Sequence, residues 1–221
     1  MNEDLFFLFP ELKSGERIYK IINTYIFSEL ENLGFKMSKS NLSIYRKIGE
    51  FKQEIYFSKN KYNNGYDEVS FVPQFNITST QYVKWHKRVY GIEPLNNIIL
   101  CENANYLNNW NIKYFKDGWY NLATYNNQEI IKYLSQNIDQ NGLPFLDMAT
   151  DKNKIINYVI ENSIYYKAPM IFDFAFTLNQ KDLAIFILDW FNKYKTENKA
   201  EFMDETLLNL KKRSELLNNW V

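Results

Sequence analysis

From Glu16 to Leu33 the apolar residues Ile18, Ile21, Ile22, Tyr25, Ile26, Leu30 and Leu33 recur at three- and four-residue intervals. That spacing predicts one apolar face of a helix, with Ser14 placed as its N-cap and Gly34 as its C-terminal stop. After Gly34 the period falls to two. Leu42, Ile44 and Ile48 alternate with polar neighbours, Phe51, Ile55 and Phe57 share a parity, and so do Val69, Phe71, Phe75 and Ile77. Half-buried strands produce this alternation. Between the last two runs lies Lys61-Tyr62-Asn63-Asn64-Gly65-Tyr66, whose Asn-Gly pair favours a tight turn. The expectation is an antiparallel meander, with Pro73 marking its strand as an edge or a bulge.

Residues 79–124 carry a weaker pattern: a short helix over Tyr82 to Tyr90, then strands at Ile98 to Cys101 and Trp119 to Ala123. From Asn127 the helical period returns. Ile130, Ile131, Leu134 and Ile138 form one stripe, and Ile155, Ile156, Val159 and Ile160 another, behind Asp151 as a cap. Met170 to Leu178 reads as a short apolar helix. Leu183, Phe186, Ile187, Trp190, Phe191 and Tyr194 read as a longer amphipathic one, completing an αα-hairpin. A last helix, about Ala200 to Asn218, sets Met203, Leu207, Leu210 and Leu217 on one side, with acids early and Lys211-Lys212-Arg213 late. Helix, meander, then helices is an α+β order: a leading helix packed on an antiparallel sheet, followed by a helical C-terminal half. One domain is expected over residues 1–221, sheet-forming to about 125 and helical from about 126.

Composition narrows the chemistry. With 17 Tyr, 17 Phe and 5 Trp, the chain has ample material for a core. Its 26 basic and 26 acidic side chains cancel, leaving no net field to draw it to nucleic acid or anionic lipid. The acidic start and the short apolar run Leu5 to Phe9, stopped by Pro10, do not resemble a secretory signal. No apolar stretch approaches the roughly 18–20 residues of a membrane helix. A lone cysteine rules out an internal disulfide, so the expected address is the cytoplasm. The seven glycines are dispersed, whereas a phosphate-cradling loop needs them clustered so that several backbone N–H groups can reach one anion. One His and one Cys cannot build a zinc site of the usual kind.

The remaining candidates are few. Asp147 and Asp151 would lie one helical turn apart for a carboxylate cation site, but the simpler reading makes Asp151 a cap and Asp147 a solvated loop acid. His86 and Cys101 could pair as base and nucleophile, yet Cys101 ends the apolar run Ile98-Ile99-Leu100 and reads as a small core residue. The densest cluster is Tyr82-Val83-Lys84-Trp85-His86-Lys87-Arg88-Val89-Tyr90. There Lys84, Trp85, His86, Lys87 and Arg88 make the candidate binding surface. Its simpler reading is a helix anchored by Val83, Trp85 and Val89, with solvated cations that are open to a protein partner.

Leu33-Gly34-Phe35-Lys36, then Ile44-Tyr45-Arg46-Lys47, Phe51 to Lys59 and Val69 to Ile77 together resemble a bacterial domain-of-unknown-function family, number 4304. That family joins a leading helix to a Gly-Phe-basic, aromatic-Arg hairpin and a strand ending in a basic turn, here Ser58-Lys59-Asn60-Lys61. The likeness spans roughly residues 15–80 and, more loosely, the hairpin at 170–194. It implies an α+β fold, no established activity and no catalytic residue. The expected function is a non-enzymatic interaction module that binds through its sheet face or the 82–90 segment, of which an immunity-type protein is one form, with a protein partner and without cofactor, metal, nucleic acid or membrane. The alternative is an enzyme or small-ligand binder using dispersed pocket residues.

Overall fold

The computed structural model describes residues 6–94, 97–107 and 109–218. The chain forms two compact units, residues 1–147 and 148–221.

In the first unit a continuous helix, α1 (residues 14–33), opens as Ser14–Ile21 and passes through a π-turn at Ile22–Ile26. It ends in a 3-10 turn, and Gly34 (φ 81°) terminates it as expected. Its start differs from expectation. Lys13 is the N-cap, no side chain caps the turn, and Ser14 is already helical. The π-turn follows from the sequence. Ile18, Ile22, Ile26 and Leu30 are spaced by four, which in a 3.6-residue helix drifts about 40° per step. One wider turn absorbs that drift, and all four side chains are buried. Leu33 falls off the row and is 48% exposed.

Seven strands form one antiparallel sheet: β1 (Lys36–Ser38), β2 (Ser43–Ile48), β3 (Phe51–Lys59), β4 (Ser70–Ser79), β5 (Ile98–Asn103), β6 (Phe115–Lys116) and β7 (Trp119–Asn121). Their order is β1-β2-β3-β4-β7-β6, and β5 also pairs with β4. Ile55 faces Ile44 on β2 and Phe75 on β4, and Phe71 faces Tyr120 on β7. This parity makes one sheet face apolar. The opposite parity places Tyr45 against Glu54, Glu54 against Asn76, and Asn76 against Cys101. That face is polar and half-exposed.

Pro73 lies in a central strand, not at the sheet's rim. Phe57 N–H bonds Leu42 O, so it points away from β4, and Pro73 opposite it forms a non-hydrogen-bonded pair. The proline nitrogen therefore faces the other neighbour. There β4 pairs with β7 at Ser70 and Phe71 and with β5 only from Gln74 onward. Pro73 occupies the gap between them, a local edge inside the sheet.

The apolar face is covered by α3 (residues 127–147), which also contains a π-turn, Ile138–Gly142. Here again the buried row is spaced by four: Ile130, Leu134, Ile138, Gly142 and Leu146. Gly142 is where helix and sheet touch, since a Cβ there would lie 2.3 Å from the Phe75 ring. Gln53 donates to Leu146 O at 2.6 Å from the sheet below. Asp147 is solvent-exposed, as expected, but helical and not part of a loop. It ends the helix in an ion pair with Arg46, whose guanidinium also lies 4.5 Å from the Phe35 ring centroid.

The second unit is helical: α4 (Lys152–Glu161), α5 (Ala168–Thr177), α6 (Lys181–Glu197) and α7 (Asp204–Asn218). Asp151 caps α4, accepting the Asn153 N–H at 2.8 Å. Helices α5 and α6 form the expected hairpin around Phe174, Ile187 and Phe191. Phe186 is 52% exposed, because the buried row of α6 runs through Ala184, Ile187 and Phe191. Arg213 of α7 pairs with Asp173, a fully buried carboxylate on α5. The fold is thus α+β, with the antiparallel sheet in the N-terminal half and most helices in the C-terminal half. No described helix is long and apolar enough to cross a membrane.

Candidate functional site

Helix α2 (Thr80–Tyr90) follows β4 without a loop. Ser79 starts it by accepting the Tyr82 N–H at 3.0 Å, and Gly91 (φ 75°) stops it. The five candidate residues separate by helical position. His86 is buried, one turn after buried Tyr82. It holds the Ile92 carbonyl at 2.8 Å through Nδ1, which must therefore carry the proton. Its ring sits between Tyr82 and Tyr90, with centroids 5.8 and 4.7 Å away. Tyr82 and His86 anchor the helix, while Val83, Trp85 and Val89 are half-buried. Trp85 lies beside Tyr82 and Tyr90 and keeps part of its surface open. Lys84, Lys87 and Arg88 are exposed together. Lys87 bonds Glu93 at 2.9 Å, and that hydrogen bond raises the lysine above its ordinary value.

A second feature lies on the polar sheet face. One cleft, about 790 Å³, runs from Gly15 and Tyr19 of α1 past Lys39 to Glu54, Tyr56 and Asn76. Another, about 440 Å³, runs from Glu54 and Asn76 past Lys52 and Thr78 to Thr80 and Gln81 in the first turn of α2. The clefts share Glu54 and Asn76, so together they form one groove across the face. Glu54 is fixed at its middle, accepting from Lys52 at 2.7 Å and from the Ser43 hydroxyl at 2.9 Å. At the far end helical spacing continues the surface. Thr80 and Gln81 share a side of α2 with Lys84, Lys87 and Arg88. The exposed cations named from sequence thus extend a groove on the sheet face, whose residues the sequence reading did not name. Its signal was the polar parity of β3 and β4, Lys52-Glu54-Tyr56 and Gln74-Asn76-Thr78.

Cys101 belongs to this face, not to the core. It sits opposite Asn76 and is exposed. A bulge opposite Ile77 and Thr78 lets Ile99 and Leu100 both turn inward, which leaves Cys101 on the open side. Among the described residues no group of three or more His, Cys, Asp or Glu is placed to hold a metal ion.

The family model described as a domain of unknown function, DUF4304, matches residues 26–148. The chain belongs to this family. The match continues well past residue 80, takes in the sheet and α3, and ends beside the boundary between the two units. The groove lies largely inside it, while the α5–α6 hairpin lies outside. No curated protein and no solved structure matches the chain.

Proposed function

We propose that the chain is a non-enzymatic interaction module of the bacterial cytoplasm, which holds a protein partner along the polar groove and the cationic side of α2. The observation that carries this reading is the continuity of the groove from α1, through Glu54 and Asn76, onto the turn that leads to Lys84, Lys87 and Arg88. Such a surface suits an extended or irregular partner segment, with Trp85 and Tyr56 as aromatic anchors. The even balance of charges favours a protein over a nucleic acid, whose binding needs several unopposed cations. An immunity-type role, in which the partner is a toxin, is one form of this reading. In the same proposal the leading helix rests on the sheet and forms the groove's far wall. Its supports are the burial of Ile18, Ile22 and Ile26 and the cleft that Tyr19 shares with Tyr56.

One observation favours the second reading, a small-ligand or enzyme pocket. The larger cleft has a volume typical of ligand sites. A comparative capture experiment tests the main proposal. Wild type, Asn76→Trp (which fills the groove) and Lys84→Glu/Lys87→Glu/Arg88→Glu would each serve as bait in host lysate. The expected result is a stoichiometric protein recovered by wild type and lost from both variants. Equal recovery by all three baits, or none by wild type, would sink the proposal.

A further inference from the structure

We infer that the α1 end of the groove is a binding site for a small organic polyanion, one that presents phosphate or carboxylate oxygens to Lys39 and Lys59. The inference is independent of the protein-partner reading, because it rests on the charges of this cleft alone. Three lysines line the cleft, Lys20 from α1, Lys39 from the turn after β1 and Lys59 from the end of β3. None of them forms an ion pair among the described residues. Of the two carboxylates in the same lining, Glu54 is already neutralised by Lys52. Glu16 offsets one of the three lysines, so the cleft carries an excess of positive charge, within a chain whose total charge is zero.

The lysines also come from three separate segments of the chain, so the cleft can meet more than one anionic group. The Lys59 ammonium lies 3.6 Å from the position a Cβ would take at Gly15. The Lys39 ammonium lies 5.1 Å from the ring centroid of Tyr19. Gly15 and Tyr19 are four residues apart on one helix, or about 6 Å along its axis. One ammonium group thus lies against the first turn of α1 and the other against the Tyr19 ring, both in the lining of the cleft. Gly15, having no side chain, leaves room for the Lys59 side chain to lie against α1. Linked phosphates, or a tricarboxylate, would offer an anionic group to each lysine. The half-buried Tyr19 and Tyr56 give any apolar part of the ligand a surface to lie on.

The test is a titration of the full ¹⁵N-labelled chain with pyrophosphate in one arm and citrate in the other, followed by amide chemical shifts. Saturable shifts at Gly15, Tyr19, Lys39 and Asn41 are expected at millimolar ligand or below. Lys39→Gln/Lys59→Gln should weaken the affinity by about tenfold or more. The control Lys211→Gln/Lys212→Gln, on α7, should leave it unchanged. These positions are exposed, and the unliganded spectrum of each variant reports directly whether it is folded. Saturation by one anion only would assign the site to phosphate or to carboxylate. Shifts that never saturate, that spread evenly over surface lysines, or that persist in Lys39→Gln/Lys59→Gln would overturn the inference.

Discussion

Arg17 and Asn127, 110 residues apart in the chain, meet inside the first unit, where the guanidinium donates to the Asn127 Oδ1 at 3.0 Å. Arg17 also donates to the carbonyls of Leu8 and Leu122, at 2.8 and 2.9 Å. Asn127 accepts the Leu8 N–H and gives its own backbone N–H to Phe6 O. One node thus fastens the N-terminal segment, α1 and the start of α3. Burial pulls Arg17 below the ordinary guanidinium value, and Glu11 opposes that pull. Asn127→Ala would leave these donors and acceptors without their amide. It is expected to cost about 1–3 kcal/mol or more in urea unfolding. A midpoint equal to wild type would show that water replaces the node.

Gly142→Ala tests the contact between α3 and the sheet. Alanine is the better helix former, so an unconstrained site would gain up to about 1 kcal/mol. Here the added methyl meets the buried Phe75 ring, and overpacking should instead cost about 1–3 kcal/mol. The double change Gly142→Ala/Phe75→Leu should lose less than the sum of its parts. Stabilisation by the single change would disprove the close contact.

Tyr120 sets an alkaline limit to stability. It is fully buried, accepts a hydrogen bond from Asn137 at 3.1 Å, and packs on Phe71 and Phe115. Burial pushes its hydroxyl from 10.0 up to about 12, against a smaller opposing effect of the Asn137 bond. Above pH 10 the unfolded chain releases this proton while the folded chain keeps it. The contribution is therefore whole below pH 10 and declines as pH rises toward 12, by about 1.4 kcal/mol per unit. Lysines also titrate there, so the comparison is with Tyr120→Phe, whose stability should fall less steeply over that window. Parallel curves would rule this out.

In the second unit Arg213→Ala removes the guanidinium that pairs with Asp173, a carboxylate with no exposed surface. The loss should be large, about 3–5 kcal/mol. Asp173→Leu/Arg213→Met, which removes both charges, should recover most of it in thermal unfolding. A loss in the double variant as large as in the single one would show that hydrogen bonding, not charge, holds the helices.

Where one physical pattern governed a segment, the sequence already held the answer. The period of two named β2, β3 and β4, and the period of 3.6 named every long helix. The π-turns escaped notice because Ile18-Ile22-Ile26-Leu30 and Ile130-Leu134-Ile138 look like ordinary helical stripes. Their unbroken spacing of four was the overlooked sign. The Arg46 partner of Asp147 was missed, and Cys101 was misread, for a different reason. Each was judged from its neighbours in the chain, while its environment came from Arg46 and Asn76 on other strands. His86 was set among exposed cations, but helical position turns it inward with Tyr82. The groove needs α1, the turn after β1, β3 and β4 at once, and no local pattern announces such a meeting.

The gap at Pro73 means that β5 and β7 lie end to end along β4 without sharing a hydrogen-bonded rung. Neither strand must open for the other to do so. Native-state hydrogen exchange should therefore report two separate opening events along one strand. Amides on the β5 side would exchange as one group, and those joining Ser70 and Phe71 to β7 as another. Because β7 contributes only three residues, its group should open at the lower free energy. The chain could then loosen one end of its sheet while the β3–β4 centre, and the groove laid across it, stayed closed.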